Sequence, residues 1–451
     1  MSIFRAYDIR GIYGQTLDPI DAYKISFVFS KYKMGRGPVF LGMDNRPNSL
    51  PLLLSSSAGI ISAGIEAVNL GMVPTPLLYF GVARNRAPGG IMITASHNPP
   101  QYNGLKLVSE GARPLTRETG ISDIERRVTE FSSERPAATI GRMQEQDIGE
   151  EYLQHITRDM KMSKDIRVVF ETGNGTAGPI LRRMVERFGL NAEIIHETPN
   201  GAYPNGMVNP VMEETLADLK GEVIQHGADI GIALDVDADR FGLVAKNGRW
   251  IPADFIIGLF CLPILRENKG ATILADVRIS KAVQEFIVSH GGRVKFTKVG
   301  HSYIANEMAD GDYPLGGEIS GHIYFKDRYY GFDDGIYCAV RMLDLLTVER
   351  KSLEELMKEF RETCLSPEIR VPAPDELKFD MIRKIEAKLK NQGTEVQTLD
   401  GVKASLEDGW FSIRASNTEP ALVIRAESES QRGLGRIMRF VESLVEESRS
   451  G

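Results

Sequence analysis

One pattern constrains this chain more than any other: a strand–turn–helix–strand grammar that occurs three times. The first copy runs VFLGMDNRPNS (39–49), an apolar helical stretch to Gly64, then IEAVNLGMVPTP (65–76). The second runs IRVVFETGNGTAG (166–178), ILRRMVERFG, then LNAEIIHETPNG (190–201). The third runs ATILADVRIS (271–280), KAVQEFIVSHGG, then RVKFTKVGHS (293–302). In each copy an apolar strand ends on an acid (Asp44, Glu171 or Asp276) before a polar turn and a helix. Such units imply parallel pairing with a right-handed crossover. A third strand follows each: GGIMITASHN, ADIGIALDVDADR and YPLGGEISGH. The chain therefore reads as three variants of one α/β domain, each with a third strand ending in a polar motif. Ligands of open α/β sheets sit beyond the carboxyl ends of the strands, so three such ends facing one cleft would make a composite site.

Polar stretches at 132–147, 245–254 and 365–380 separate these units from one another and from a different tail. The tail reads helix (MIRKIEAKLKNQG), strand–loop–strand (WFSIRASNTEPALVIRAES) and a final amphipathic helix (GRIMRFVESLVEESR). The expected organisation is three α/β domains, at 1–146, 147–249 and 250–366, and a smaller α+β domain at 367–451. The formal net charge of −7 argues against a nucleic-acid partner and requires any anionic substrate to be drawn in by local basic residues. Three widely spaced cysteines form no CxxC, which points to a reducing compartment. The N-terminal MSIFRAYDIRG carries charge where a signal peptide needs an apolar core. The most apolar stretch, 253–265, contains Asp254 and Pro263 and is too short for a bilayer. A cytoplasmic protein without membrane contact is expected.

LDVDADR (234–240) puts Asp235, Asp237 and Asp239 at alternate positions after a buried strand, which brings three carboxylates to one side. Three such charges repel unless a cation sits among them, and all-oxygen ligands suit magnesium. The alternatives are a solvated acidic turn and an EF-hand loop; the EF-hand fails, because Arg240 and Lys246 stand where it needs Gly and Glu. TGNGTAG (172–178) fits the dinucleotide pattern GxGxxG, but the matching turns DNRPNS and DVRIS do not. Its glycines read as a local turn solution. GGEISGH (316–322) is either a surface turn or a loop whose Glu318 and Ser320 grip sugar hydroxyls. RASNTEP (414–420) is either a hairpin turn or a phosphate cradle. His301 ends a strand in the third copy, where it is either structural or catalytic. ITASHNPPQYNG (93–104) ends a strand in Ser96, with prolines that stop both helix and sheet.

IFRAYDIRG, ITASHNPPQYNG, LDVDADR, GGEISGH and RASNTEP occur in the order and spacing of the α-D-phosphohexomutase family, which the chain resembles over its whole length. NPPQYNGLKLV (98–108) and FKDRYYGFDDGIY (325–337) look more like its phosphomannomutase/phosphoglucomutase branch than its phosphoglucosamine mutase branch. The resemblance implies four domains around a central cleft and a mutase that interconverts hexose 1- and 6-phosphates (mannose, glucose or both). It implies a phosphoserine enzyme, a hexose 1,6-bisphosphate that also serves as activator, and one Mg²⁺. Ser96 matches the phosphoserine, and Asp235, Asp237 and Asp239 with a phosphoserine oxygen match the metal ligands. Arg10, Lys106, Arg240, His301 and His322 match residues near the reacting groups, and Tyr7 and Arg278 line the cleft. Glu318 and Ser320 match sugar contacts; Arg414, Ser416, Asn417 and Thr418 match the clamp for the phosphate not being transferred. Lys106, with a depressed pKa, or His301 would take the hydroxyl proton. Phosphoglucosamine mutase, a phosphoserine-type phosphatase and an inactive phosphosugar-binding regulator are the competing readings. The sequence departs from the family at two places. Val236 stands where a glycine is usual, which raises the question of a strained φ. The turn Asn45-Arg46-Pro47 replaces a usual Gly-Arg and is expected to lie remote from the chemistry.

Overall fold

The computed structural model describes residues 2–32, 37–416 and 419–449. Each of the first three units contains the same four-stranded core. In the first, Ala67–Met72, Val39–Met43 and Gly89–Ile93 run parallel, and Tyr102–Ser109 returns antiparallel beside the last of them. In the second, the equivalents are Ala192–Ile195, Val168–Glu171, Ile230–Leu234 and the antiparallel Phe241–Ala245. In the third they are Arg293–Thr297, Thr272–Asp276, Leu315–Gly317 and the antiparallel Ile323–Phe325. Ile9–Ile12 and Met143–Glu145 extend the first sheet. Every residue of Gly89–Ile93 and Ile230–Leu234 is buried, as expected for central strands covered on both faces.

The strand-end acid has the same local function in all three copies: it accepts the backbone N–H two residues on. Arg46 N donates to Asp44 (3.0 Å), Gly173 N to Glu171 (2.6 Å) and Arg278 N to Asp276 (2.7 Å). These bonds close the turn that starts each helix.

The fourth sheet is antiparallel. It is built on Val402–Leu406, Gly409–Ala415 and Ala421–Ser428, and the helices Lys378–Asn391 and Gln431–Arg449 pack on it. The last helix buries Leu434, Ile437, Val441, Leu444 and Val445, a stripe at helical spacing. Each such side chain contributes roughly 1.5–3 kcal/mol by leaving water. Two short strands fall on neighbouring sheets relative to the expected divisions. Trp250–Ile251 pairs back on the second sheet, and Cys364–Leu365 pairs with the fourth. Both are joined there by backbone ladders that residue composition does not register.

One apolar core runs from Leu77 and Phe80 of the first unit through Ile232 of the second to Phe260 and Leu343 of the third. The fourth unit has a core of its own, around Ile385, Phe411 and Ile437. Among the described residues, no helix is long and apolar enough to cross a membrane.

Candidate active site

All four polar motifs occupy equivalent places: each is the loop that joins a strand to its antiparallel return. Ser96 lies between Gly89–Ile93 and Tyr102–Ser109. The aspartates lie between Ile230–Leu234 and Phe241–Ala245. Glu318 lies between Leu315–Gly317 and Ile323–Phe325. Ser416 lies between Gly409–Ala415 and Ala421–Ser428.

Ser96 is buried and takes φ +49°, a left-handed conformation that costs a non-glycine residue roughly 1–2 kcal/mol. Its N–H donates to Thr94 Oγ1 (2.9 Å), and its Oγ stands 3.2 Å from Asp235 Oδ2 and 3.2 Å from His97 Nδ1. The serine of the first unit thus faces the aspartate loop of the second.

The aspartate loop is fully buried. Asp237 Oδ2 accepts from Thr75 Oγ1 (2.8 Å), Thr94 Oγ1 (3.2 Å) and Lys106 Nζ (2.8 Å), all from the first unit. Asp239 Oδ2 accepts from Lys106 (2.5 Å), and Asp235 Oδ1 from the Arg240 N–H (3.2 Å). Asp237 Oδ1 and Asp239 Oδ1 are buried and accept no hydrogen bond among the described residues. Buried carboxylate oxygens are costly in that state. Ligand atoms of the three aspartates lie within 4.8 Å of one another. Burial and the charges of Asp239 and Asp237 push the Asp235 carboxyl well above its ordinary pKa. A hard divalent cation among these oxygens would relieve both penalties, so the donor set fits Mg²⁺.

Val236 does not adopt a positive φ; the left-handed residue of the loop is Ala238, at φ +57°. Val236 instead buries its side chain completely, and its carbonyl accepts the Thr176 N–H (2.8 Å) and Oγ1 (3.1 Å). TGNGTAG is therefore a buttress behind the aspartate loop. A Cβ on Gly175 would stand 2.8 Å from Val236 Cα and closer still to its carbonyl oxygen.

The remaining site residues form a connected network. Lys106 is held charged: burial opposes its charge, but Asp237 and Asp239 raise its pKa well above the ordinary value. The expected depressed lysine pKa is thus reversed, because its immediate neighbours are anions. Arg240 Nε donates to His322 Nε2 (3.1 Å), and His322 Nδ1 contacts Asp333 (2.7 Å). The rings of His322 and His301 stack at 5.4 Å, and Tyr7 meets His301 edge-on at 4.8 Å. Burial, and then neighbouring cationic groups such as Lys106, push the His301 pKa well below its ordinary value. Burial, reinforced by Asp8 and Glu318, raises that of the Tyr7 phenol. Glu318 accepts from the Gly300 N–H (3.1 Å) and Ser320 Oγ (2.7 Å), which ties the 316–322 loop to the start of the His301 helix. Arg10 is aimed by Asp8 (2.6 Å) and donates to Asn98 Oδ1 (2.5 Å).

Arg414 pairs with Asp400 (3.3 Å), whose carboxylate also accepts the Val299 N–H (2.8 Å). That contact brings the fourth unit against the turn leading into His301, which opens the helix His301–Asp310 and does not end a strand as expected. The Ser416 carbonyl accepts from Lys378 Nζ (2.6 Å). Asn417 and Thr418 lie outside the described residues. Arg278 joins the network through its partner: it is buried at the junction with the fourth unit, paired with Glu368 (2.5 Å) and with Asp276 (2.9 Å), whose carboxylate also accepts the Ile319 N–H of the Glu318 loop (2.9 Å). Thr75, Thr94, His97, Asn98 and Asp333 join the site without having been singled out in the sequence, since single threonines and asparagines carry no pattern. The turn at Arg46 corrects an expectation. It lies directly behind the serine loop, because Arg46 Nη2 donates to the Ser96 carbonyl (2.6 Å).

Comparison with known proteins agrees with this architecture. Four Phosphoglucomutase/phosphomannomutase domains match in order: alpha/beta/alpha domain I over residues 1–135, domain II over 150–248, domain III over 252–364 and the C-terminal domain over 368–444. A phosphomannomutase/phosphoglucomutase of Pseudomonas putida is 36% identical over 438 residues, covering 97% of this chain and 94% of that protein. A phosphomannomutase of Escherichia coli is 34% identical over 437 residues, 95% of each. A crystal structure of a phosphoglucomutase/phosphomannomutase family protein from Burkholderia thailandensis superposes with a TM-score of 0.92 at 32% identity, covering 100% of this chain and 98% of that one. Three like units and a distinct fourth, with their hairpin loops around one charged site, are the architecture of a phosphotransferase of the mutase class. The chain belongs to the phosphoglucomutase/phosphomannomutase family.

Proposed function

We propose that this enzyme moves a phosphoryl group between the 1- and 6-positions of a hexose phosphate, mannose or glucose. Ser96 carries the group, and a hexose 1,6-bisphosphate is both intermediate and activator. The observation that carries this reading is the placement of Ser96 Oγ, 3.2 Å from Asp235, beside two buried aspartate oxygens that accept no hydrogen bond among the described residues. Phosphoserine gives its phosphoryl group to the free hydroxyl of the bound sugar phosphate. The bisphosphate turns over in the cleft, and its other phosphate returns to Ser96. Asp235, Asp237, Asp239 and a phosphoserine oxygen would hold Mg²⁺, which when bound neutralises charge on the phosphoryl oxygens. Lys106, Arg10 and Arg240 offset the charge that develops in each in-line transfer. His301, kept neutral by burial and neighbouring cations, accepts the proton of the attacking hydroxyl. Glu318 and Ser320 grip the sugar hydroxyls in either orientation, with Tyr7 and Arg278 along the cleft.

Arg414, Ser416, Asn417 and Thr418 clamp the phosphate that is not being transferred. They sit on the one unit whose core is separate from the rest, which suits a body that opens while the intermediate turns. Intact mass of the purified protein tests the covalent step: a fraction heavier by one phosphate is expected, and should be absent from Ser96→Ala. Unchanged turnover in Ser96→Ala would refute it. Rates on mannose 1-phosphate, glucose 1-phosphate and glucosamine 1-phosphate test the substrate class. Preference for the last would assign a phosphoglucosamine mutase, and release of inorganic phosphate a phosphatase.

A further inference from the structure

Among the described residues, Arg46 makes a set of bonds that no other side chain around the site matches. Its guanidinium is wholly buried, and each of its five N–H donors has an acceptor. Nη2 reaches the carbonyls of Ser96 (2.6 Å) and Asn98 (2.6 Å). Nη1 reaches those of Pro99 (2.8 Å) and Tyr102 (3.1 Å). Nε reaches Asp44 Oδ2 (3.0 Å), and Ser49 Oγ and the Arg46 N–H hold the other oxygen of that carboxylate. Among the described residues no backbone N–H reaches the Ser96 or Asn98 carbonyl, so these two need the Arg46 donors. The two peptide planes that flank Ser96 are consequently both fixed, the preceding one by Thr94 and the following one by Arg46. That is what holds Ser96 at φ +49° with its Oγ toward Asp235.

We propose that Arg46 is a positioning residue for phosphoryl transfer, acting through the backbone of the serine loop without touching substrate. The inference rests on Ser96 being the phosphoryl carrier. Arg278 repeats the Asp-x-Arg spacing in the third unit, but there the guanidinium turns to Glu368, so the carbonyl-binding role is particular to the serine loop.

The test compares Arg46→Lys with wild type. A lysine offers three donors on a point charge and cannot hold four carbonyls in one plane. We expect kcat to fall about 100-fold, the size of effect an ångström-scale misplacement produces. KM for the sugar phosphate should stay within about threefold, since the sugar and phosphate contacts lie on other loops. Phosphate uptake by Ser96 from a hexose 1,6-bisphosphate, read by intact mass, should slow in parallel. Hydrogen exchange of peptides covering 94–104 should rise while exchange elsewhere is unchanged. Asp44→Asn, which frees only Nε, should reproduce the pattern at smaller amplitude and serves if Arg46→Lys does not fold. Wild-type kcat, or loop exchange that does not change in either folded variant, overturns the proposal. If wild-type Ser96 takes up no phosphate, the carrier reading fails, and loop exchange alone then decides whether Arg46 holds the loop.

Discussion

The buttress behind the aspartate loop yields a prediction with a clear sign. Gly175→Ala adds one methyl group whose nearest neighbours are backbone atoms, with Val236 Cα at 2.8 Å. Carbon atoms pack best at about 3.5–4.0 Å, so something must move by roughly 0.7 Å or more. Gly175 has no positive φ, so the cost is steric overlap alone. Neither partner is a flexible side-chain tip: one is the turn of TGNGTAG, and the other is the residue between two metal-type aspartates. Overpacking of this kind costs about 1–3 kcal/mol, and backbone against backbone belongs at the upper end. If half of that strain is relieved by shifting the aspartates, metal affinity falls by about tenfold, the equivalent of about 1.4 kcal/mol. Titration calorimetry with Mg²⁺ or Mn²⁺ measures the affinity directly, without turnover. Stability is read from Trp250, which lies in the second unit, in a Trp410→Phe background that removes the other tryptophan. Gly221→Ala is the control. It lies in the helix Ala217–Gln225 with nothing within 4 Å of its added Cβ, and should stabilise the same unit by about 1 kcal/mol. Metal binding within twofold of wild type, with an unshifted Trp250 transition in Gly175→Ala, would refute the buttress.

Other perturbations follow from the same geometry. Thr75→Val removes a hydrogen bond to the buried Asp237 carboxylate and should cost about 1.5–3 kcal/mol, seen as weaker Mg²⁺ binding in calorimetry. Burial raises the Asp334 carboxyl from its ordinary 3.8 to about 7, despite bonds from the Tyr337 N–H, Tyr329 and Tyr152. A raised folded pKa means that the folded state binds the proton more tightly. Its contribution is therefore fully present below about 4 and is lost as pH rises towards 7, and Asp334→Asn should flatten the stability profile in that window. Glu427 accepts from Ser280 Oγ, the Lys281 N–H, Trp410 Nε1 and Thr363 Oγ1, joining the third and fourth units. Glu427→Ala leaves those donors unsatisfied and should lower stability by about 3 kcal/mol in urea unfolding followed through Trp410.

The three-unit grammar and the four polar loop motifs were legible in linear order because each depends on local chemistry. Apolar β-branched runs, an acid closing a turn and alternating aspartates are written in neighbouring residues. Arg46 was misjudged, although its signal was present. Asp44 and Arg46 share the spacing of Asp276 and Arg278, and a buried Asp-x-Arg at two equivalent strand ends was a reason to expect a structural task there. The state of Lys106 could not be read in advance. Its pKa depends on Asp237 and Asp239, 131 and 133 residues away in sequence and within hydrogen-bond reach in space.

By itself the sequence determined that three like α/β units and a different fourth would form, and which loop of each would carry polar chemistry. Side-chain periodicity and turn composition are local properties, and the chain cannot hide them. The tertiary structure decided how the loops meet: that Thr75, Thr94 and Lys106 of one unit dress an aspartate of another, and that Val236 escapes strain while Ala238 takes the left-handed turn. It also decided that Arg46 holds the serine from behind. Those outcomes depend on which distant backbone and charge each residue meets after packing, and no spacing along the chain encodes that meeting.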